Sequence, residues 1–439
     1  MSRLLVFAVL LIPSLAFAQK PTREQKVLDD RKKVEAEGFW IYNDLAKAKA
    51  EAAKNGKPIV VVLRCLPCEE CVKLDDDLVN TDPEIRPLLE KFVCVRIVGT
   101  NGLDLGQFQF DTDQSFAVFF LNADGTVYGR FGTRSHRTNW VGDVSLPGLA
   151  NALRGALDLH GDYPKNKAAL AGKKGKAPEF ARPELFPTLK DKYTSKLDYE
   201  GNVVRSCIHC HQIGDARREF YRHRKEAIPE SLVYPFPHPK SIGLILDPKE
   251  RAKVLEVSAG SIAESTGFHA GDTITAMSGQ PLLSIADVQW VLETISPEGA
   301  AVTVTVKRGA KTEMLVLNLP KGWRRAGDIS WRASSWGLRR MATGGMLLED
   351  LEPADRAKLK IDGFALRAKH VGEYGAHAAA KNAGFRKGDI ITSWDGSKTF
   401  RSESDLLAHG VMARKPGDRI AVELLRDGKA MKLNVPMQD

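Results

Sequence analysis

Apolar positions along the chain change period several times. Helical spacing runs from Asn43 to Lys54 and stops at Asn55-Gly56, a left-handed turn signal. An unbroken apolar strand follows over Pro58 to Leu63, then a helical stretch to Val79 and a helix over Asp82 to Lys91. Strands are predicted at Phe92 to Val98, Phe116 to Leu121 and Thr126 to Phe131, the last two joined by the turn Asn122-Ala-Asp-Gly125. From about 161 to 190 the pattern dissolves into Gly, Pro, Ala and Lys, as in a linker without a core.

The C-terminal half repeats itself. Gly267-Phe-His-Ala-Gly-Asp-Thr-Ile-Thr275 and Gly384-Phe-Arg-Lys-Gly-Asp-Ile-Ile-Thr392 share the spacing Gly-Phe-x-x-Gly-Asp-x-Ile-Thr. Each is followed by an amphipathic helix pattern, Ser284 to Thr294 and Ser402 to Ala413, and by strand-like runs such as Ala301 to Lys307 and Thr312 to Leu319. The expected fold class is multidomain α/β plus α+β. Its expected parts are a signal peptide (1–18), an α/β domain (38–160), a linker with a cysteine segment (161–237) and two repeat modules (238–322 and 325–437).

The first eighteen residues read as an export signal: Arg3, an apolar stretch from Leu4 to Leu15, and Ala16-Phe17-Ala18 before Gln19. No later apolar run reaches bilayer-spanning length, so an exported, periplasmic protein with no transmembrane span in its mature chain is expected. The 439 residues carry a formal charge of +9, concentrated in Lys165, Lys167, Lys173, Lys174 and Lys176. Without interleaved aromatics or a recognition motif these read as a solvated linker, and nucleic acid is not an expected partner.

Six cysteines are present, five of them in two clusters. Cys65, Cys68 and Cys71 stand where the strand over 58–63 meets a helix, the junction at which backbone N–H groups favour a thiolate. Cys94 sits in an alternating apolar strand and reads as a small core residue. Cys207-Ile-His-Cys210-His211 matches the covalent haem c signature, with both thiols on the vinyl groups and His211 on the iron. No methionine occurs between the signal region and Met277, so a nearby sixth ligand falls to His223 or His238. A second dithiol, or zinc held with His211 and neighbouring histidines, competes with haem.

The strand order and the placement of Cys68-Glu-Glu-Cys71 resemble the thioredoxin fold. That resemblance implies that Cys68 attacks and Cys71 resolves. It also brings departures: Val62 stands at the position of the buried acid, Pro67 replaces a tryptophan, and Phe116 occupies the place of the cis-proline. The repeat modules resemble PDZ domains, especially those of periplasmic high-temperature-requirement proteases. The resemblance implies that polypeptide C-termini are the partners. Their carboxylates would be held by the apolar-Gly-apolar loops Ile242-Gly243-Leu244 and Trp336-Gly337-Leu338, the second module carrying an insertion over about 343–363. No Gly-x-Ser-x-Gly accompanies them. The whole order looks like a family of exported thioredoxin/PDZ proteins of planctomycete-type bacteria. It implies a thiol-disulfide redox protein, or alternatively a non-catalytic binding scaffold.

Overall fold

The computed structural model describes residues 21–64, 82–113, 116–132, 144–332 and 334–439. The export signal and Cys65, Cys68 and Cys71 lie outside the described residues. Helix α1 (Arg23–Glu37) precedes a unit built from β1 (Ile41–Tyr42), α2 (Leu45–Asn55), β2 (Ile59–Arg64), α3 (Ile85–Leu89), β3 (Val93–Val98), β4 (Phe116–Leu121), β5 (Val127–Gly132) and α4 (Leu146–Gly161). The sheet order is β1-β3-β2-β4-β5. β2 runs parallel to β3 and antiparallel to β4, so it is the central strand, flanked on both sides.

Every residue of β2 is buried, which is why it reads as continuous apolar sequence instead of alternating. Val60 and Val62 face a core with Leu149, Leu153 and Ala156 of α4; Ile59, Val61 and Leu63 face a second core on the other side. That second core is closed by Phe186, Leu189, Ile208, Ile213 and Ala216. The stretch expected as a coreless linker is therefore a cap on the sheet. Its composition hid this, because Gly, Pro and Lys surround a few well-spaced apolar anchors. Lys173, expected in solvent, is fully buried. Helix α1 also belongs to the unit, since Val34 joins its core and Asp30 pairs with Arg64 at 2.6 Å. Cys94 is buried as expected, its Sγ donating to Leu89 O at 3.3 Å.

Within the cap, helix α5 (Cys210–His223) leads towards the first repeat module. That module comprises β6 (Leu244–Leu246), β7 (Val254–Val257), α6 (Ile262–Thr266), β8 (Thr273–Met277), β9 (Gln280–Pro281), α7 (Ile285–Thr294), β10 (Ala300–Arg308) and β11 (Lys311–Leu319). Trp323 and Arg324 close it: Trp323 joins its core, and the buried Arg324 donates to Leu292 O, Glu293 O and Ile295 O at the end of α7. These are carbonyls that a helix C-terminus leaves without intrahelical partners.

The second module follows with α8 (Ser335–Thr343), β12 (Met346–Asp350), α9 (Pro353–Leu359), β13 (Leu366–Val371), β14 (Ile390–Trp394), α10 (Glu403–Met412), β15 (Arg419–Arg426) and β16 (Lys429–Pro436). Its sheet order is β12-β13-β14-β15-β16. The expected insertion over 343–363 thus contains the module's first strand; the added element is α9, between β12 and β13. In both modules the repeated Asp, Asp272 and Asp389, is buried and accepts from an arginine (Arg308, Arg426) and from a turn N–H. The repeat is a turn-fixing device.

Candidate functional site

The first candidate site is the C-terminal end of β2. Arg64, the residue bonded to Cys65, accepts through its carbonyl from Gly99 N at 3.4 Å. Gly99 has φ +79, and a Cβ there would stand 2.9 Å from Cys207 Sγ, so only glycine fits. The next residues stitch the cysteine segment to β3. Thr100 donates to Ile208 O through N (3.1 Å) and Oγ1 (2.8 Å), and Asn101 Oδ1 accepts from Ile208 N at 2.8 Å. Gly214 of α5 packs its open side against Thr112 Oγ1, just before β4. The fold thus ties the Cys207–His211 segment to the residues beside Arg64, at the C-terminal end of β2.

Burial pushes both thiols up, Cys207 to about 12 and Cys210 to about 12. Cys210 begins α5, where backbone N–H groups favour a thiolate, but burial and the neighbouring Cys207 outweigh them. Neither is a ready nucleophile at neutral pH. His211 is exposed, its ring parallel to that of His209 with centroids 5.7 Å apart. A haem would need both sulfurs at its edge and His211 at its iron. Here Cys207 Sγ fills the space over Gly99, and Cys210 packs against the core of Ile208, Ile213 and Ala216. As packed, these residues do not fit a haem.

The histidines expected as further ligands are dispersed. His223 closes α5 twelve residues after His211, about 18 Å along the axis at helical rise, so the two cannot share an ion. His238 caps the turn over Pro239–Ile242, its Nδ1 accepting from Lys240 N at 3.2 Å. Among the described residues no group of three His, Cys, Asp or Glu side chains is arranged to hold a metal.

The second candidate site lies in the repeat modules. Ile242-Gly243-Leu244 joins the turn over Pro239–Ile242 to β6. Gly243 has φ +82, and a Cβ there would collide with Ser261 at 2.1 Å. Ile242 and Leu244 are buried, and Lys240 beside them is exposed. Gly243 N donates back to Lys240 O at 3.0 Å, while Gly243 O accepts from Ser258 at 2.9 Å. By antiparallel alternation the N–H and C=O of Leu244 then face away from β7. Among the described residues no strand pairs with that outer edge of β6. Helix α7 packs on the turn Pro239–Ile242 and shares the module's core with Leu244 and Leu246, and the chain before the loop lies along α7, Phe236 N donating to Glu293 at 2.8 Å.

The second loop is a correction. Trp336, Gly337 and Leu338 are inside α8, with Leu338 N bonded to Ser334 O at 3.4 Å and its side chain fully buried. The helix takes up the Leu338 N–H and the core takes up its side chain, so the three residues are not an extended loop leading into a strand. The loop that precedes β12 is Gly344-Gly345, with φ +63 and +88. The doubled glycine just before an apolar strand was the available signal for it.

Compared with known proteins, residues 40–123 match the thioredoxin-like family model, and residues 238–319 and 375–437 match the PDZ domain model. The chain is 30% identical over 190 residues to the periplasmic pH-dependent serine endoprotease DegQ of Escherichia coli (strain K12). That match covers 43% of this chain and 37% of the relative's length. Solved structures that are similar include an HtrA-type protease AlgW with tripeptide (18% identity, 30% of this chain and 42% of that one, TM-score 0.19). Another is the same protease with decapeptide (15% identity, 31% and 55%, TM-score 0.19).

Proposed function

We propose that this chain, a thioredoxin-like domain followed by PDZ domains, is an exported protein that captures polypeptide C-termini on its first PDZ module. The observation that carries the reading is the outer edge of β6, with which no strand pairs among the described residues, entered through the left-handed Gly243 between two buried apolar residues. An extended peptide would add as a strand on that edge, its carboxylate beside Lys240 and its last side chain among the apolar residues of the loop. The periplasmic relative and the signal-like first residues support export.

The test is a pair of labelled peptides, one ending in an apolar residue with a free carboxylate and one identical but amidated. The free acid should bind at least about tenfold more tightly, the difference expected of one charge-assisted contact. Equal affinities would remove the reading.

A second reading, thiol–disulfide exchange on the captured chain, is favoured by the position of Arg64 against Gly99 and Cys207. In it, the Cys68 thiolate attacks a client disulfide and releases one client sulfur as a thiolate. Cys71 then attacks the mixed disulfide, freeing the second client sulfur and leaving a Cys68–Cys71 disulfide. Two electrons pass to the client, and a further dithiol must restore the protein. Cys207 and Cys210 serve in this reading as a closed structural dithiol, which their burial and raised titration favour over thioether links to haem. Disulfide turnover that is unchanged in Cys68→Ser would discard the enzymatic reading. A haem c absorption spectrum after co-expression with attachment machinery would discard the closed dithiol.

A further inference from the structure

The second module has its own strand and helix for a peptide, β12 and α10, but the space between them is filled. Helix α8 lies there. Its Leu338, Met341 and Ala342 share a buried cluster with Leu407, Ala408 and Val411, and a Cβ on Gly410 would stand 2.5 Å from Ala342 Cβ. Three polar contacts complete the closure. Arg339 grips Glu403 with two hydrogen bonds, Nε to Oε1 at 2.9 Å and Nη2 to Oε2 at 2.6 Å, with both side chains buried. Glu403 Oε1 also accepts from Leu348 N at 2.8 Å. Leu348 is on the outer edge of β12, so the hydrogen bond that an added strand would make is already made. Gly345 N donates to Arg339 O at 2.9 Å, so the loop N–H that would meet a carboxylate caps α8.

The two modules differ in sequence where this closure needs them to. Aligned on Ser284-x-x-Asp287 and Ser402-x-x-Asp405, Ile285 stands at the place of Glu403 and Leu292 at that of Gly410. The first module has neither the carboxylate that binds Arg339 nor the missing side chain that admits Ala342. Helix α8 is also held from outside the module. Ser334 donates to Asp113 through N and Oγ (2.9 Å each), and Arg332 Nη1 donates to Asp111 and Asp113 at 2.7 to 3.1 Å. Those aspartates lie in the thioredoxin-like domain, just before β4.

We infer that α8 is a built-in occupant of the second PDZ groove, so that each chain holds one polypeptide terminus and keeps a second, latent site under Arg339 and Ala342. The inference rests on the peptide-binding reading of the first module. Displacing α8 would expose the edge of β12, the Gly344-Gly345 loop and an apolar wall of Leu407 and Val411, suited to the same class of ligand, an extended chain ending in an apolar residue.

The experiment counts sites for the labelled free-acid peptide on the full chain by calorimetry. It compares wild type with Ala342→Leu, which collides with Gly410, and with Arg339→Met, which frees Glu403. One site in wild type and two in either folded variant is the expected result. Two sites in wild type, or a site number unchanged in both variants, overturns the inference. No site in wild type and one in a variant upholds the inference while removing the reading of the first module. Should both variants misfold, hydrogen exchange on wild type decides: free-acid peptide far above the concentration that fills the first module should speed exchange in α8 and leave the Leu348 amide protected, while the amidated peptide does neither. Exchange in α8 that is the same at every concentration of the free acid overturns the proposal.

Discussion

Lys173 and Asp287 form an ion pair at 3.0 Å across the boundary between the thioredoxin-like domain and the first PDZ module, and both side chains are fully buried. Asp287 also accepts from Arg130 N at 3.2 Å and Leu283 N at 2.9 Å. Ser284 Oγ donates to Arg130 O, and Trp290 of the same helix lies under the Arg130 guanidinium at 3.9 Å and donates to Gly172 O at 2.9 Å. The N-terminal half of α7 is therefore pinned along the edge strand β5. The two domains share this polar seam, and α7 of the first module is fixed by its neighbour.

Removing the lysine takes the nearest cation from a buried carboxylate and leaves it the Arg130 guanidinium and two backbone N–H groups. Lys173→Met should lower stability by about 3–5 kcal/mol, the range for breaking one partner of a buried pair. Urea unfolding of wild type and variant measures it. A change below about 1 kcal/mol would mean that water reaches the pair.

Gly243→Ala should weaken both the fold and the binding of the free-acid peptide. Its Cβ would sit 2.1 Å from Ser261 Cβ at φ +82, so the loop must shift. A cost above about 1 kcal/mol in thermal unfolding is expected, with a loss of at least about tenfold in affinity. Gly267→Ala, at φ +90 but with nothing within 4 Å, is the control for backbone strain alone.

Native Cys207 and Cys210 should alkylate slowly. With both thiols pushed up to about 12, the thiolate fraction at about pH 8 is smaller than that of an ordinary cysteine by about a thousandfold. Mass-resolved alkylation, native against urea-unfolded, should show at least that ratio at these positions. Equal rates would show that the segment is open.

Asp215 supplies a pH dependence. Burial raises its carboxyl to about 7 against the opposing pull of Arg218, whose Nη1 is 3.5 Å away. The folded state keeps a proton there that the unfolded chain, titrating near about 4, has released. Its contribution to stability is thus complete below about pH 4 and is lost as pH rises through the folded value. Asp215→Asn should raise the melting temperature at about pH 8 and leave it unchanged near about pH 4. Equal shifts at both values would remove titration as the cause.

The sequence by itself determined the domain order, because period and repetition are local. The unbroken apolar run of β2 and the Gly-Phe-x-x-Gly-Asp repeats read correctly from spacing. Cys94 read correctly from its alternating apolar neighbours. What failed to read was decided by partners distant in sequence. Trp336-Gly337-Leu338 has the composition of a carboxylate-binding loop, yet it is helix because Leu338, Met341 and Ala342 find an apolar wall on α10 about seventy residues away. Lys173 looked solvated until Asp287 was placed beside it, and the stretch over 161–190 looked coreless until Phe186 and Leu189 were set on the sheet. Glu403 and Gly410 were visible letters from the start, but their meaning, a groove shaped to admit α8, exists only once the chain has brought that helix to them. Pattern fixes which elements form, since backbone hydrogen bonding and amphipathicity act over neighbouring residues. Which face each element covers, and so which site stays open, is settled by burial between parts of the chain that only the folded structure brings together.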